Sequence, residues 1–116
     1  ETVREIPGRK ILVLFTGGLD KGSMSNAAQA LNSAHVSVYP VDLADSDSAG
    51  WQPLRALAEA TGGRFIEHFW SALDQVSADN AGSYTIRFQT SRSSGEAGDF
   101  QVSTTRPGAV VRTRTR

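Results

Sequence analysis

Five consecutive apolar residues, Ile11, Leu12, Val13, Leu14 and Phe15, stand between Lys10 and the polar string Thr16, Gly17, Gly18. An unbroken apolar run of that kind predicts a strand covered on both faces, as in a parallel sheet. After a polar turn, Met24, Ala27, Ala28, Leu31 and Ala34 recur at helical spacing, with Ser23 placed to cap the helix. Val36, Val38 and Val41 mark a second strand, with Pro40 near its end, where a missing N–H costs least. Residues 44–50 are polar and read as a loop. Gln52 and Pro53 open a second helix, with Leu54, Leu57, Ala58 and Thr61 on one face and Arg55 and Glu59 on the other. Gly62 and Gly63 end it, because glycine takes the left-handed conformation cheaply. Residues 64–67 read as a short third strand, and residues 71–82 as a third helix with Ala72, Leu73 and Val76 inward.

The period then changes. Tyr84, Ile86 and Phe88 alternate with Thr85, Arg87 and Gln89, a Ser- and Gly-rich loop covers 91–98, and Phe100 and Val102 resume the alternation. Arg106, Pro107 and Gly108 turn the chain into a last strand at Val110 and Val111. The predicted order is therefore β-α-β-α-β-α followed by a three-strand antiparallel meander. That divides the chain into an α/β unit over 1–83 and a β extension over 84–116 packed on the same domain. Crossovers in such units are right-handed, and ligands meet the loops after the strands' carboxyl ends. Here those loops are 16–22, 42–50 and 67–70.

Composition narrows the picture. A chain of 116 residues has room for one domain with a real core. With no cysteine, disulfides and thiolate metal sites are excluded. No stretch approaches the ~20 apolar residues of a membrane span, and the first twenty residues lack the layout of a signal peptide. A start at Glu1 suggests a processed product or a piece of a longer chain. Net charge is zero, which argues against nucleic acid as the main partner. The charge is uneven, however: seven acids against Arg55 and Arg64 over 42–79, then six arginines against Glu96 and Asp99 over 80–116.

The run Pro7-Gly8-Arg9-Lys10 followed by the apolar strand and Thr16-Gly17-Gly18-Leu19-Asp20 resembles the fourth-strand region of von Willebrand factor A-like (VWA-like) domains. More narrowly, it is similar to the VWFA-related family common in acidobacteria. Later pieces agree in order: 36–42, the string Leu54-Arg55-Ala56-Leu57-Ala58-Glu59-Ala60-Thr61-Gly62-Gly63-Arg64, Ser83-Tyr84-Thr85-Ile86, and Arg106-Pro107-Gly108 with Val111-Arg112. The resemblance implies the second half of such a domain: a Rossmann-like three-layer half-sheet of parallel strands, followed by the meander. It also implies a non-catalytic adhesion-type module with a protein partner, in an exported (periplasmic or extracellular) protein. In that family magnesium is held by an Asp-x-Ser-x-Ser loop, a Thr from a second loop and an Asp from a third. The chain begins after the first two, and Gly17 stands at the third, so the metal site is read as absent and no cofactor is expected. Missing the first strands, the strand at 11–15 presents an open apolar edge, which invites association: residues 1–8, the C-terminal meander or another chain, as in a homodimer, would cover it.

Candidate chemistry is sparse. The loop residues Thr16, Gly17, Gly18, Asp20, Asp42 and Asp45 form the candidate binding surface. Asp42, Asp45 and Asp47 are oxygen-rich enough for Ca²⁺ or Mg²⁺, but no EF-hand spacing follows, and Asp/Ser runs commonly form turns. Gly17-Gly18 lacks the glycine spacing or the lysine-serine pair of a phosphate loop. His35 and His68 are the only histidines, and Glu67, next to His68, faces the other way along a strand. No nucleophile elbow is present, so no enzyme is expected, and a small ligand- or nucleotide-binding domain using the same loops stands as an alternative. Arg112, Arg114 and Arg116 share one face of a strand, as a charged edge would. Trp51 and Trp70 are expected in the core, although an exposed tryptophan would suit a protein contact.

Overall fold

The computed structural model describes residues 3–17, 24–43, 51–89, 91 and 101–114. After a 3-10 turn at Val3–Glu5 come strand β1 (Lys10–Thr16), helix α1 (Met24–Ser33), strand β2 (Val36–Asp42) and helix α2 (Trp51–Ala60). A second 3-10 turn, Phe69–Ser71, runs directly into helix α3 (Ala72–Ala81). The fold is thus mixed α/β. β1 and β2 run parallel, in register from Lys10 beside Val36 to Thr16 beside Asp42. Ser23, the expected cap of α1, lies outside the described residues.

The third strand is reduced to one residue, Ile66, bridged in parallel to Val41. Its brevity follows from the edge it meets. Ile66 donates its N–H to the Pro40 carbonyl at 2.8 Å and accepts from the Asp42 N–H at 2.9 Å. Two residues back, the Val38 N–H donates to Thr61 Oγ1 at 3.0 Å, a side chain in place of a strand. Pro40, between them, has no N–H to satisfy. It lies inside β2 rather than at its end, with its carbonyl on the Ile66 side. One residue of a third strand therefore completes this stretch of edge, where four had been expected.

Thr61 and the two glycines after it close α2 onto β2. The Thr61 hydroxyl donates to the Leu57 carbonyl at 2.9 Å while accepting from Val38, so this fully buried group is used in both directions. Gly62 adopts φ +73°, and the N–H groups of Gly62 and Gly63 reach back to the carbonyls of Glu59 and Ala58, the glycine-terminated helix end expected here. Gly63 is required for a different reason: a Cβ there would fall 1.9 Å from the Val38 carbonyl oxygen.

Alternation along β2 sorts the core into two clusters. Val36 and Val38 pack with Leu57, with Ala28, Leu31 and Ala34 against them. Tyr39 and Val41 pack with Ile66, Ala72 and Val76, joined by Ile11 and Val13. In α3 the buried positions are Ala72 and Val76; Leu73, expected inward, is 73% exposed, because it lies off the stripe that those two define. One turn beyond Val76 that stripe reaches Asp79, whose carboxylate meets Arg64 at 3.0 Å and Arg112 at 2.7 Å.

Beyond α3 the expected meander is not formed among the described residues: 83–89 and 101–113 belong to no strand. Tyr84, Ile86 and Phe88 are exposed, Tyr84 by 91%. Alternation gives a strand an apolar face, but that face is buried only where another layer receives it. Among the described residues the tail returns to the α/β unit where Arg112 pairs with Asp79 and where Arg114 bridges Thr61 in antiparallel sense. No described helix is long and apolar enough to cross a membrane.

Candidate functional site

The carboxyl ends of β1 and β2 lie side by side, with Thr16 opposite Asp42. The pairing continues one step further, as the Leu43 N–H donates to the Thr16 carbonyl at 3.3 Å. Both Thr16 and Asp42 are partly buried. At Gly17 a Cβ would meet nothing within 4 Å, so this position is open rather than cramped. Of the six candidate binding residues, Thr16, Gly17 and Asp42 therefore come together. Gly18, Asp20 and Asp45 lie outside the described residues.

A magnesium site of the adhesion type does not fit the residues that the structure describes. Gly17 offers no side-chain ligand at the position where the resemblance places an aspartate. Among the described residues no three His, Asp or Glu side chains gather as metal ligands would.

The third loop, after Ile66, is the more informative. Phe65 is pinned from two sides before the chain leaves the sheet. Trp51 meets it edge-on with centroids 5.3 Å apart, and the Arg55 guanidinium lies 4.4 Å from its ring centre. Arg55 also pairs with Glu67 at 3.1 Å, which draws that carboxylate to α2. The following 3-10 turn is tied down by polar contacts. Ser71 donates from both N–H and Oγ to the His68 carbonyl, at 3.1 and 2.9 Å, and Gln75 Nε2 donates to Ser71 Oγ at 2.6 Å.

On this turn the His68 and Trp70 rings stack, 4.7 Å apart and 13° from parallel. Phe69 meets Trp70 edge-on at 5.4 Å. Phe69 is exposed, and Trp70 is 71% exposed. Leu73, three residues on from Trp70, adds apolar surface one helical turn away. The two tryptophans expected in the core have thus parted: Trp51 is 6% exposed and belongs there, and Trp70 does not. The sequence signal for this was spacing. Trp51 keeps step with Leu54 and Ala58 on the buried face of α2. Trp70 precedes Ala72 by two residues, off the stripe of α3.

Two further side chains escaped the sequence reading. Asp79 stood in the sequence only as one of seven acids over 42–79, and its position in step with Ala72 and Val76 was the clue to its burial. Arg9 looked like part of a lead-in to β1, yet it reaches two side chains of β2. Comparison with known proteins gives no match: no family model, no curated protein and no solved structure matches this chain.

Proposed function

We propose that the chain is part of a VWA-like α/β unit and serves as a non-catalytic protein-binding module. The reading of a Rossmann-like three-layer half-sheet draws support from the parallel order β1, β2, Ile66, and from the two core clusters to which α1 and α2, and then α3, contribute. The contact surface in this reading joins the loops at Thr16, Gly17 and Asp42, with Gly18, Asp20 and Asp45 beyond them, to the aromatic turn at 68–70. The observation that carries it is Trp70, exposed and stacked on His68. Fixed, solvent-facing tryptophan is the side chain most enriched at energetic centres of protein interfaces. A photoreactive residue placed at position 73, in place of the exposed Leu73, should yield a discrete crosslinked partner in extracts of the source organism. Trp70→Ala should abolish the adduct. Identical adducts from a probe at Arg55, on the far side of Phe65, would sink the reading.

A second reading, assembly through the outer edge of β1, is favoured by Leu12 and Phe15, both exposed on a strand paired on one side only among the described residues. Sedimentation equilibrium separates the two. Self-association that Phe15→Lys reverses supports assembly, and a monomer at every concentration removes it.

A further inference from the structure

The tail docks at the end of the sheet away from Thr16 and Asp42, where α1 turns into β2. His35 makes that turn. Among the described residues it alone, glycines aside, has a positive φ, +58°. Its backbone is held on both sides: the N–H donates to the Asn32 carbonyl at 3.1 Å, and the carbonyl accepts from the Lys10 N–H at 2.8 Å. Arg114 comes to this ring from the tail. It bridges Thr61, and its backbone N and Cγ lie over Gly62, within 3.3 and 3.5 Å of where a Cβ would stand. From there its Nη1 lies 3.0 Å from His35 Nδ1.

This contact admits one protonation state. A guanidinium has donors only, so Nδ1 accepts, and the ring is neutral with its proton on Nε2. Protonation puts a hydrogen on Nδ1 and a second positive charge beside the guanidinium, so the hydrogen bond gives way to a repulsion. The surrounding charges do not relieve it. Among the described residues no carboxylate forms an ion pair with His35 or Arg114: Glu59, in the last turn of α2, forms none, and Asp79 is taken by Arg64 and Arg112. The charged groups at the neighbouring end of β1 are cations. Lys10 turns its amine to the carbonyls of Ile6 and Gly8, and Arg9 reaches Ser37 and Tyr39. Burial, and then the Arg9 charge, already lower the Arg114 pKa from its ordinary value. Arg112 and Arg114, expected to share a charged edge with Arg116, are instead committed to different partners, Asp79 and His35. Arg116 lies outside the described residues.

We propose that His35 is a pH-sensitive catch for the C-terminal tail: the neutral ring holds Arg114 docked, and the protonated ring releases it. Docking and protonation compete for the same nitrogen. Docking is therefore favoured above the range in which imidazoles ordinarily titrate, about pH 6.5, and weakens as the pH falls through it. The tail's other contacts, the Thr61 bridge and the pair of Arg112 with Asp79, involve no imidazole. The catch lies at the opposite end of the strands from the proposed protein-contact surface and is independent of it.

The test uses the full chain, which has no cysteine, with a dye on Ala109→Cys, an exposed position of the tail. The anisotropy of the dye reports whether the tail is held. From about pH 8 to about pH 5.5 it should fall along a single-proton curve, the ratio of docked to free tail dropping about tenfold as the hydrogen bond is lost. His35→Asn should stay docked throughout, because asparagine tolerates a positive φ and its side-chain oxygen accepts from Arg114 without titrating. Arg114→Gln should also remove the pH dependence, since an amide donates to the neutral ring and accepts from the protonated one. His68→Gln, at the only other histidine, should leave the curve unchanged. Circular dichroism checks that each variant keeps its core, and either His35→Asn or Arg114→Gln suffices if the other unfolds. An anisotropy indifferent to pH overturns the proposal, as does a fall that persists in the variants at 35 and 114 or vanishes in His68→Gln.

Discussion

β1 and β2 are both seven residues long and pair along their whole length, so their difference in surroundings isolates one variable. Read as side chains, β1 (KILVLFT) is the more apolar, and β2 (VSVYPVD) carries a serine, a proline and an acid. Burial runs the other way. In β2 every residue but Asp42 is buried, whereas β1 has no fully buried residue and exposes Leu12 and Phe15. Neighbours make the difference. β2 has β1 on one edge, Ile66 and Thr61 on the other, and a core cluster on each face. Among the described residues β1 has a partner on one edge only. The central strand tolerates Ser37 and Pro40 because each has a local answer, in Arg9 and in the Ile66 bridge. The apolarity of β1 exceeds what its described surroundings use.

The largest effect that would sharpen this contrast comes from Gly63→Ala. Its Cβ would fall on the Val38 carbonyl, so urea unfolding should show a loss of about 3 kcal/mol or more, with β2 pushed off α2. A loss below about 1 kcal/mol would mean that the turn yields and that this contact does not fix β2. Next in size is Thr61→Val, which leaves the buried Val38 N–H without its acceptor and should cost about 2 kcal/mol. Thr61→Ser, keeping the oxygen, should recover most of it. The smallest effect breaks or upholds the comparison directly. Val38→Ala should cost about 2 kcal/mol, and Leu12→Ala, its register partner on β1, less than about 1 kcal/mol. Equal losses would show β1 to be as well covered in solution as β2, and the contrast would fall.

What was legible in the sequence follows the same physics. β1, β2, α2 and the glycine pair could be read because local pattern and tertiary setting agree there. The third strand came out shorter because a threonine hydroxyl and a proline, not strand propensity, decide how much of the edge needs a partner. Leu73 and Trp70 were misplaced because a single apolar residue near a helix start fits several faces, and only Ala72, Val76 and Asp79 together fix the stripe. Tyr84, Ile86 and Phe88 have clear alternation without a described layer to receive it. In the candidate site, the sequence located the loops at Thr16, Gly17 and Asp42. It could not show the stacking of His68 on Trp70, which depends on how the turn is held, nor bring Arg114 to His35, which depends on contact between distant parts of the chain.

The bridge between Thr61 and Arg114 has a kinetic consequence. With α3 already packed on the core, it closes a loop of roughly thirty residues after Ala81, whose entropic cost grows as the logarithm of length and stands at about 3 kcal/mol apart from a constant. Against this stand one backbone bridge, the contact with His35 and the partly exposed pair of Arg112 with Asp79. The terminus can therefore detach and return many times during one lifetime of the folded core, as a separate, smaller opening event. Trp51 is buried on α2 and Trp70 is already exposed on the turn at 68–70, so an unfolding curve followed by tryptophan fluorescence reads the opening of the α/β core rather than that of the clasp.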